Sequence, residues 1–315
     1  MNVAMDARQL RYFLAVAELG GFSAAARHLG IAQPALSRHV KALEDQLGVP
    51  LLTRTVRGVR MTGQGETLFH HAQGILRQLE MVPQIVGERT ATVSGRVVIG
   101  LPTSVSAVLA RPLLRATMER LPQVRVHLID SLSGFLEEWV EAGRLDVCVL
   151  YDAQPSASLR LEGILVEDLC LIGAAGAFAP ERREIAFRRL ADFPLVLPAL
   201  PHSLRRLLEM MALSHGVRLN IVLEVDSLPV SKAIAEEGRA YAVLPQGAVH
   251  VEIQRGALEA IEIVEPRVSR SVSLATSAMR GSTRACNEVR RLTLEVAREL
   301  RRTGVWKGMS LDRVQ

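Results

Sequence analysis

The sequence predicts an α/β chain built in three parts, on three observations. Two alanine-rich amphipathic segments meet at GIAQP, residues 30–34. An apolar stripe at spacings of four and three starts at Leu68. Beyond residue 96, strand-like and helix-like runs alternate, twice over.

At the N-terminal end Asp6 is positioned to cap a first helix, in which Leu10, Phe13, Leu14 and Ala17 recur at i, i+3, i+4 and i+7 as one buried stripe. Gly20-Gly21 ends it. Ser23 offers a hydroxyl as N-cap for a short helix, AAARHL, that runs into Gly30. Pro34 suits the first turn of the next helix, where a missing N–H leaves nothing unpaired. In that helix Leu36, Val40, Leu43 and Leu47 fall within about 60° of one another at 100° per residue, while Pro34, Arg38 and Lys41 face the other way. Gln33 and Ser37 sit at its flank near the N-terminus. The end whose backbone N–H groups point outward therefore also carries donors suited to phosphates and base edges. After Gly48-Val49-Pro50, LLTRT and VRMT read as two short strands about Val56-Arg57-Gly58, with Arg54 at the base, Arg57 at the tip and Arg60 on the return. Helix, tight turn, helix and basic hairpin make a winged helix-turn-helix over residues 1–63. Its recognition helix is expected in the major groove of double-stranded DNA, with Arg57 on the backbone or the adjacent minor groove.

Leu68, Ala72, Ile75, Leu79, Val82 and Val86 form a heptad seam that needs a partner helix, so residues 64–95 are read as a long dimerising linker helix and hinge. Pro83 is expected to bend or break it near Leu79, and ATVSGR, residues 91–96, is a small polar linker. Residues 96–315 follow as two α/β subdomains. RVVIGL, a helix at 104–119, VRVHLID, a helix at 134–142 and LDVCVLY make a βαβαβ unit with a parallel sheet. PLVLP, a helix at 203–214, NIVLEV, a helix at 229–237 and YAVLP repeat it. The chain returns through VSRSVSLAT to a basic helix at about 284–302, giving subdomain I about 96–166 and 267–302, and subdomain II about 167–266.

The composition fits this plan and narrows the function. With 315 residues and 49% apolar content the chain is large enough for several buried cores. No run reaches the roughly 18 to 20 apolar residues that cross a bilayer, and MNVAMDARQLRYF lacks an export signal, so a cytoplasmic protein without a membrane partner is expected. Cys148, Cys170 and Cys286 have no companions at metal-ligand spacing, and no metal or cofactor is expected. Residues 1–65 carry eight Lys and Arg against four Asp and Glu, and residues 266–315 eleven against four, while the middle is acidic. Only three of the 38 basic residues are lysine, so a lone arginine says little about phosphate recognition. Motifs of nucleotide-binding loops, zinc proteases and serine hydrolases are absent from the sequence, and no catalytic residues are assigned.

The stretch LRYFLAVAELGGFSAAARHLGIAQPALSRHVKALEDQLGVPLLTRTVRGVRMTGQGE, within residues 8–66, closely resembles the N-terminal domain of LysR-type transcriptional regulators. That resemblance implies a winged helix-turn-helix, a dimerising linker helix and a C-terminal effector domain of periplasmic-binding-protein type. It also implies DNA contacts at Gln33, Pro34, Ser37 and Arg38, and at Arg57 on the wing; Ser23, Lys41 and Arg54 complete the candidate DNA-binding set. Partners implied are promoter DNA, a second copy or a tetramer, RNA polymerase and a small-molecule effector. Two departures stand out. Leu51-Leu52 replaces a common Leu-Phe or Val-Phe, and EEGRAYAVLP has Ala240 where a second glycine is frequent. LPTSVSAVLARPLL resembles regulators of the nitrogen assimilation control type.

In an open α/β sheet, ligands sit at the carboxyl ends of strands near helix N-termini. The candidate effector residues there are Thr103, Ser104, Ser131 and Ser133 from the first unit, and His202, Ser203 and Gln246 from the second. Ser104 and Ser133 also match effector-pocket positions by resemblance. Hydroxyls, an amide and an imidazole suit a small carboxylate, an organic acid. Two alternatives stay open: these residues are N-caps of an effector-independent regulator, or Cys148 and Cys170 make a redox-responsive one.

Overall fold

The computed structural model describes residues 5–55, 58–87, 92–179, 181 and 183–309. It divides into two compact units, Met1–Arg89 with Glu141–Arg144, and Thr90–Val140 with Leu145–Gln315.

In the first unit, α1 (Ala7–Leu19) opens on a capping box: Gln9 N–H donates to the Asp6 carboxylate at 2.7 Å, and Asp6 N–H donates to Gln9 Oε1 at 3.0 Å. The second helix, α2 (Phe22–Leu29), has Gly21 rather than Ser23 as its N-cap. The helix starts two residues earlier than expected, which puts Ser23 inside the first turn, exposed and not capping. α3 (Gln33–Leu47) follows Gly30, which takes a left-handed φ of 66°, and Pro34 lies in its first turn. Leu36, Val40 and Leu43 are fully buried. β1 (Leu52–Thr55) and β2 (Gly58–Met61) pair antiparallel as the wing. Glu44 of α3 accepts the backbone N–H groups of Leu51 and Leu52, and Val59 N–H donates to Gly20 O at 2.8 Å, so helices hold both strands. Gly58 is needed there: its φ is 130°, and a Cβ would lie 2.5 Å from Gly20 O.

α4 (Gly63–Gly87) runs unbroken through Pro83. The expected break is not found; Pro83 removes only one backbone donor close to the end of a 25-residue helix. The seam is also shorter than its sequence suggested. Ala72 is buried and Leu68 packs with it against Leu10 and Leu14, so the first part of the stripe belongs to the winged domain's own core. Ile75, Leu79 and Val82 remain exposed.

The second unit begins with β3 (Gly95–Pro102), followed by α5 (Thr103–Val105), a π-helical turn Ser106–Ala110 and α6 (Arg111–Arg120). One regular helix was expected here. Pro112 excludes the α-helical bond to Val108, and the wider turn just before it changes the register. β4 (Val124–Ser131), α7 (Ser133–Glu141) and β5 (Val147–Tyr151) complete the first βαβαβ unit. β6 (Leu159–Ala174) and β7 (Glu184–Ala186) lead to β8 (Leu195–Leu197), α8 (Ser203–Ser214), β9 (Ile221–Glu224), α9 (Leu228–Glu236) and β10 (Tyr241–Pro245). α10 (His250–Gln254), β11 (Leu258–Val264), β12 (Ser269–Ser277) and α11 (Arg284–Arg302) close the domain.

The strands run in the order β4-β3-β5-β12-β6-β10-β8-β9, with β11 beside β6 and β7 beside β11. β4, β3 and β5 are mutually parallel, as are β9, β8 and β10. β6 joins the halves: it pairs with β12 as far as Asp168, and with β10 and β11 from Leu169 onward. Val97, Ile99 and Leu101 face a core shared with Val289 and Leu292 of α11, whereas Val98 faces Leu136 and Val140 of α7, so β3 is covered on both faces. In the other half, Leu195 and Leu197 pack on Leu204 and Leu208 of α8, and Val196 packs on Ala235 of α9.

Candidate functional site

On the winged unit, one groove is lined by Phe22, Ser37, Arg38, Lys41, Glu44, Asp45 and Arg54. Four of the candidate DNA contacts, Ser37, Arg38, Lys41 and Arg54, thus meet on one face between α3 and the wing. Arg54 lies over the Phe22 ring at 5.6 Å, and Lys41 pairs with Asp45 at 3.0 Å. Gln33 and Pro34 sit exposed at the start of α3, with Gln33 Nε2 at 3.5 Å from Ser37 Oγ. Ser23 is exposed on α2 and is not among the residues that line the groove. Arg57 lies outside the described residues. His39, despite its place beside Arg38, packs edge-on against Tyr12 of α1 at 5.1 Å and serves the helix interface.

On the α/β unit, the carboxyl ends of both parallel half-sheets converge on one cleft. Thr103, Ser104, Ser131 and Ser133 line it from the first half and His202 and Ser203 from the second. Gln246 is a correction. Pro245 ends β10 at the cleft, but the chain turns there into a 3-10 helix, and Gln246 lines a separate cavity with Cys170, Gly176 and Lys307. The cap interpretation holds for one residue: His202 Nδ1 accepts Leu204 N–H at 3.1 Å as the N-cap of α8. That bond leaves its proton on Nε2. Burial, then the nearby Arg270 charge, hold the imidazole below its ordinary pKa, against a smaller opposing pull from Asp226. Ser104 caps nothing. Its Oγ is 2.7 Å from the Tyr151 hydroxyl and accepts from Arg270 Nη2 at 3.1 Å. Thr103 Oγ1 donates to Asp130 at 2.6 Å, and Ser133 Oγ accepts Tyr151 N–H at 3.3 Å. At Ala240 the backbone keeps a negative φ and the methyl is buried, so the missing glycine leaves the start of β10 undistorted.

Sequence reasoning missed the cleft's charged residues, Arg270 and Asp226, and its phenol, Tyr151. Arg270 is 4% exposed. Its guanidinium lies 3.6 Å over the Tyr151 ring and donates through Nε to Glu167 Oε1 at 2.8 Å. The other carboxylate oxygen of Glu167 accepts the indole N–H of Trp306 at 2.8 Å. Trp306 belongs to a C-terminal strap that also bridges Met309 to Val166 of β6. Burial raises the Tyr151 phenol well above its usual range, so it remains a neutral hydrogen-bonding group. The one available signal for Arg270 was a charged residue in the otherwise small and apolar run VSRSVSLAT.

All three cysteines are buried; burial pushes the Cys170 thiol up to about 12 and raises that of Cys148 further. Thiols held neutral this way are poor nucleophiles, which argues against cysteine-based redox sensing. Among the described residues no cluster of His, Cys, Asp or Glu is arranged to hold a metal ion, and no helix is long and apolar enough to cross a membrane.

A basic groove on a winged helix-turn-helix, followed by an α/β domain with a cleft at its strand ends, defines a DNA-binding transcriptional regulator with a substrate-binding domain. Residues 7–66 match the family described as bacterial regulatory helix-turn-helix protein, lysR family, and residues 90–298 match the LysR substrate binding domain. The chain belongs to the LysR family of transcriptional regulators. It is 34% identical to the regulator BbuR of Bordetella bronchiseptica over 96% of this chain and 94% of that one. It is 35% identical to the nitrogen assimilation regulatory protein nac of Klebsiella aerogenes over 88% and 90% of the two chains. Among solved structures, full-length OxyR from Pseudomonas aeruginosa superposes with a TM-score of 0.70 at 22% identity, covering 93% of this chain and 95% of that one. Full-length CbnR complexed with its target DNA gives 0.67 at 23% identity, covering 94% and 99%.

Proposed function

We propose that this regulator is cytoplasmic and homo-oligomeric, reads operator DNA through α3 and the wing, and responds to a small organic acid in the cleft. Gln33, Pro34, Ser37, Arg38 and Lys41 meet the major groove and its phosphates, Arg54 and Arg57 meet the flanking backbone, and Ser23 joins them from α2. The winged domain ends near residue 63, the linker near 95, and the effector domain divides at the crossing of β6. The observation that supports the effector is the convergence of both half-sheets' carboxyl ends on a cleft rich in hydroxyls. A ligand that favours the closed cleft alters how joined copies present their winged domains to DNA and to RNA polymerase.

The test is a thermal-shift screen of small organic acids on the full chain, paired with Ser104→Ala. At least one acid raises the melting temperature, and Ser104→Ala raises the concentration needed by about 10-fold or more, as loss of a buried donor to a charged group predicts. Operator affinity without ligand stays unchanged. No stabilisation by any acid, with normal regulation by Ser104→Ala, retires the cleft as a ligand site.

A second reading, regulation without an effector, draws support from the same geometry. Ser104, Thr103 and His202 already have intramolecular partners, and the cleft's free volume is only about 60 Å³. That outcome of the screen would favour it.

A further inference from the structure

The cleft carries two charges of opposite sign, and neither is spent on the other. Arg270 reaches it from β12 at the junction of the two halves, anchored from behind by Glu167. Glu167 and Ser104 engage its Nε and Nη2; Nη1 is not among the nitrogens they hold. Asp226 lines the cleft from the loop between β9 and α9. Its Oδ1 accepts Ala199 N–H at 2.9 Å, and among the described residues it forms no ion pair. Both line the same cleft as His202, and both bear on its imidazole, Arg270 lowering its proton affinity and Asp226 raising it. The rest of the polar lining is uncharged: hydroxyls, the Tyr151 phenol and a neutral imidazole.

Electrostatics then selects among small acids. A simple carboxylate gains a charge-assisted hydrogen bond from the guanidinium but meets the like charge of Asp226 in the same cleft. A dicarboxylate meets it with a second like charge. A molecule with a carboxylate at one end and an ammonium beside it satisfies both walls, and the small cavity favours a compact one. Resting on the reading of the cleft as an effector site, we infer that the ligand is a compact zwitterion of the α-amino acid class. Arg270 and Ser104 hold its carboxylate and Asp226 holds its ammonium group.

The test uses the full-length protein and matched probes: the proteinogenic amino acids, their 2-hydroxy counterparts and the corresponding deamino acids, compared by thermal shift and calorimetric titration. Asp226→Asn is the diagnostic variant, since an asparagine Oδ1 still accepts the Ala199 N–H and the ligand-free melting temperature reports that the loop is intact. The expected result is stabilisation by one or a few small amino acids, weaker binding of their hydroxy and deamino counterparts, and a loss of about 10-fold or more in amino-acid affinity in Asp226→Asn. The hydroxy acids bind the variant at least as well as they bind the wild type. Deamino acids that bind as tightly as amino acids, or an Asp226→Asn variant with unchanged amino-acid affinity, overturn the zwitterion while leaving the cleft an effector site. If no probe binds the wild type, the effector site itself falls, and the zwitterion with it.

Discussion

Arg270 and Glu167 are direct cross-strand partners on β12 and β6, 103 residues apart in the chain. Two guanidinium nitrogens, Nε at 2.8 Å and Nη2 at 2.7 Å, converge on the single oxygen Oε1. Oε2 is thereby left for the Trp306 indole. Both side chains are almost wholly excluded from solvent. A buried ion pair of this kind is worth little against an apolar pair of equal volume, yet breaking it on one side strands a charge. Glu167→Leu is therefore expected to destabilise the domain by about 3–5 kcal/mol. The double variant Glu167→Leu, Arg270→Met recovers most of that loss in denaturant unfolding. A double variant as unstable as the single one would show that packing, not the stranded charge, sets the cost.

Arg38 sits exposed on α3 in the groove with Lys41 and Arg54, outside the helix's buried stripe. Arg38→Ala is expected to weaken specific DNA binding by about 1–3 kcal/mol without shifting the melting temperature. Electrophoretic mobility shifts over a salt series check it. Unchanged affinity at physiological salt removes Arg38 from the interface.

Among the described side chains of the α4 stripe, which do not include Val86, the exposed ones are Ile75, Leu79 and Val82, at 41%, 51% and 50% of full exposure. An aliphatic row at spacings of four and three on one helix is a seam awaiting a partner helix. Leu79→Glu is expected to shift the assembly toward monomer in sedimentation velocity while the winged domain stays folded, because Leu79 is not part of its core. An unaltered sedimentation coefficient rejects this seam.

His202 offers a pH signature. Its folded pKa lies below the ordinary value of 6.5, owing first to burial and then to Arg270. The unfolded chain thus takes up this proton first as pH falls. The associated stability is fully present above about 6.5 and is lost as pH drops from there toward the folded value. His202→Asn keeps an N-cap acceptor for Leu204 N–H and cannot titrate. The melting temperature of the wild type should therefore fall more steeply than that of His202→Asn between pH 7.5 and 5.5. Parallel curves would mean that other histidines carry the dependence.

How much was legible in the sequence varied with the range of the interactions involved. Asp6 as a cap, the α8 and α11 boundaries and both βαβαβ patterns rest on neighbours a few residues apart, and the structure has them. Ser23 failed as a cap because glycine also serves at that position and a two-residue shift decides which residue holds it. β6, the strand that joins the halves, went unread: Glu162, Glu167 and Asp168 break its apolar pattern, and Gly163 resembles a turn. Those acidic residues find arginine partners elsewhere in the chain, Glu162 with Arg290 of α11, Glu167 with Arg270 of β12 and Asp168 with Arg267. In the cleft, short-range logic found the hydroxyls beside helix starts. It could not find Arg270, whose significance depends on a register partner in another strand. The abundance of arginine in the chain made any single one look ordinary.

The strap that carries Trp306 gives the molecule a sequence of maturation. A chain synthesised from its N-terminus has its winged domain, with Leu10, Phe13 and Leu43 packed, long before residue 306 is added. The indole that fixes Glu167, and the backbone bridge from Met309 to Val166, arrive last. Gly308 admits no side chain at that bridge, since a Cβ would lie 2.6 Å from Val166 O, so the final fit is specific to the finished chain. The part that grips DNA is complete before the part that holds Arg270 in place. A nascent or clipped polypeptide is therefore expected to carry a folded winged domain while lacking the indole that anchors Glu167 behind Arg270.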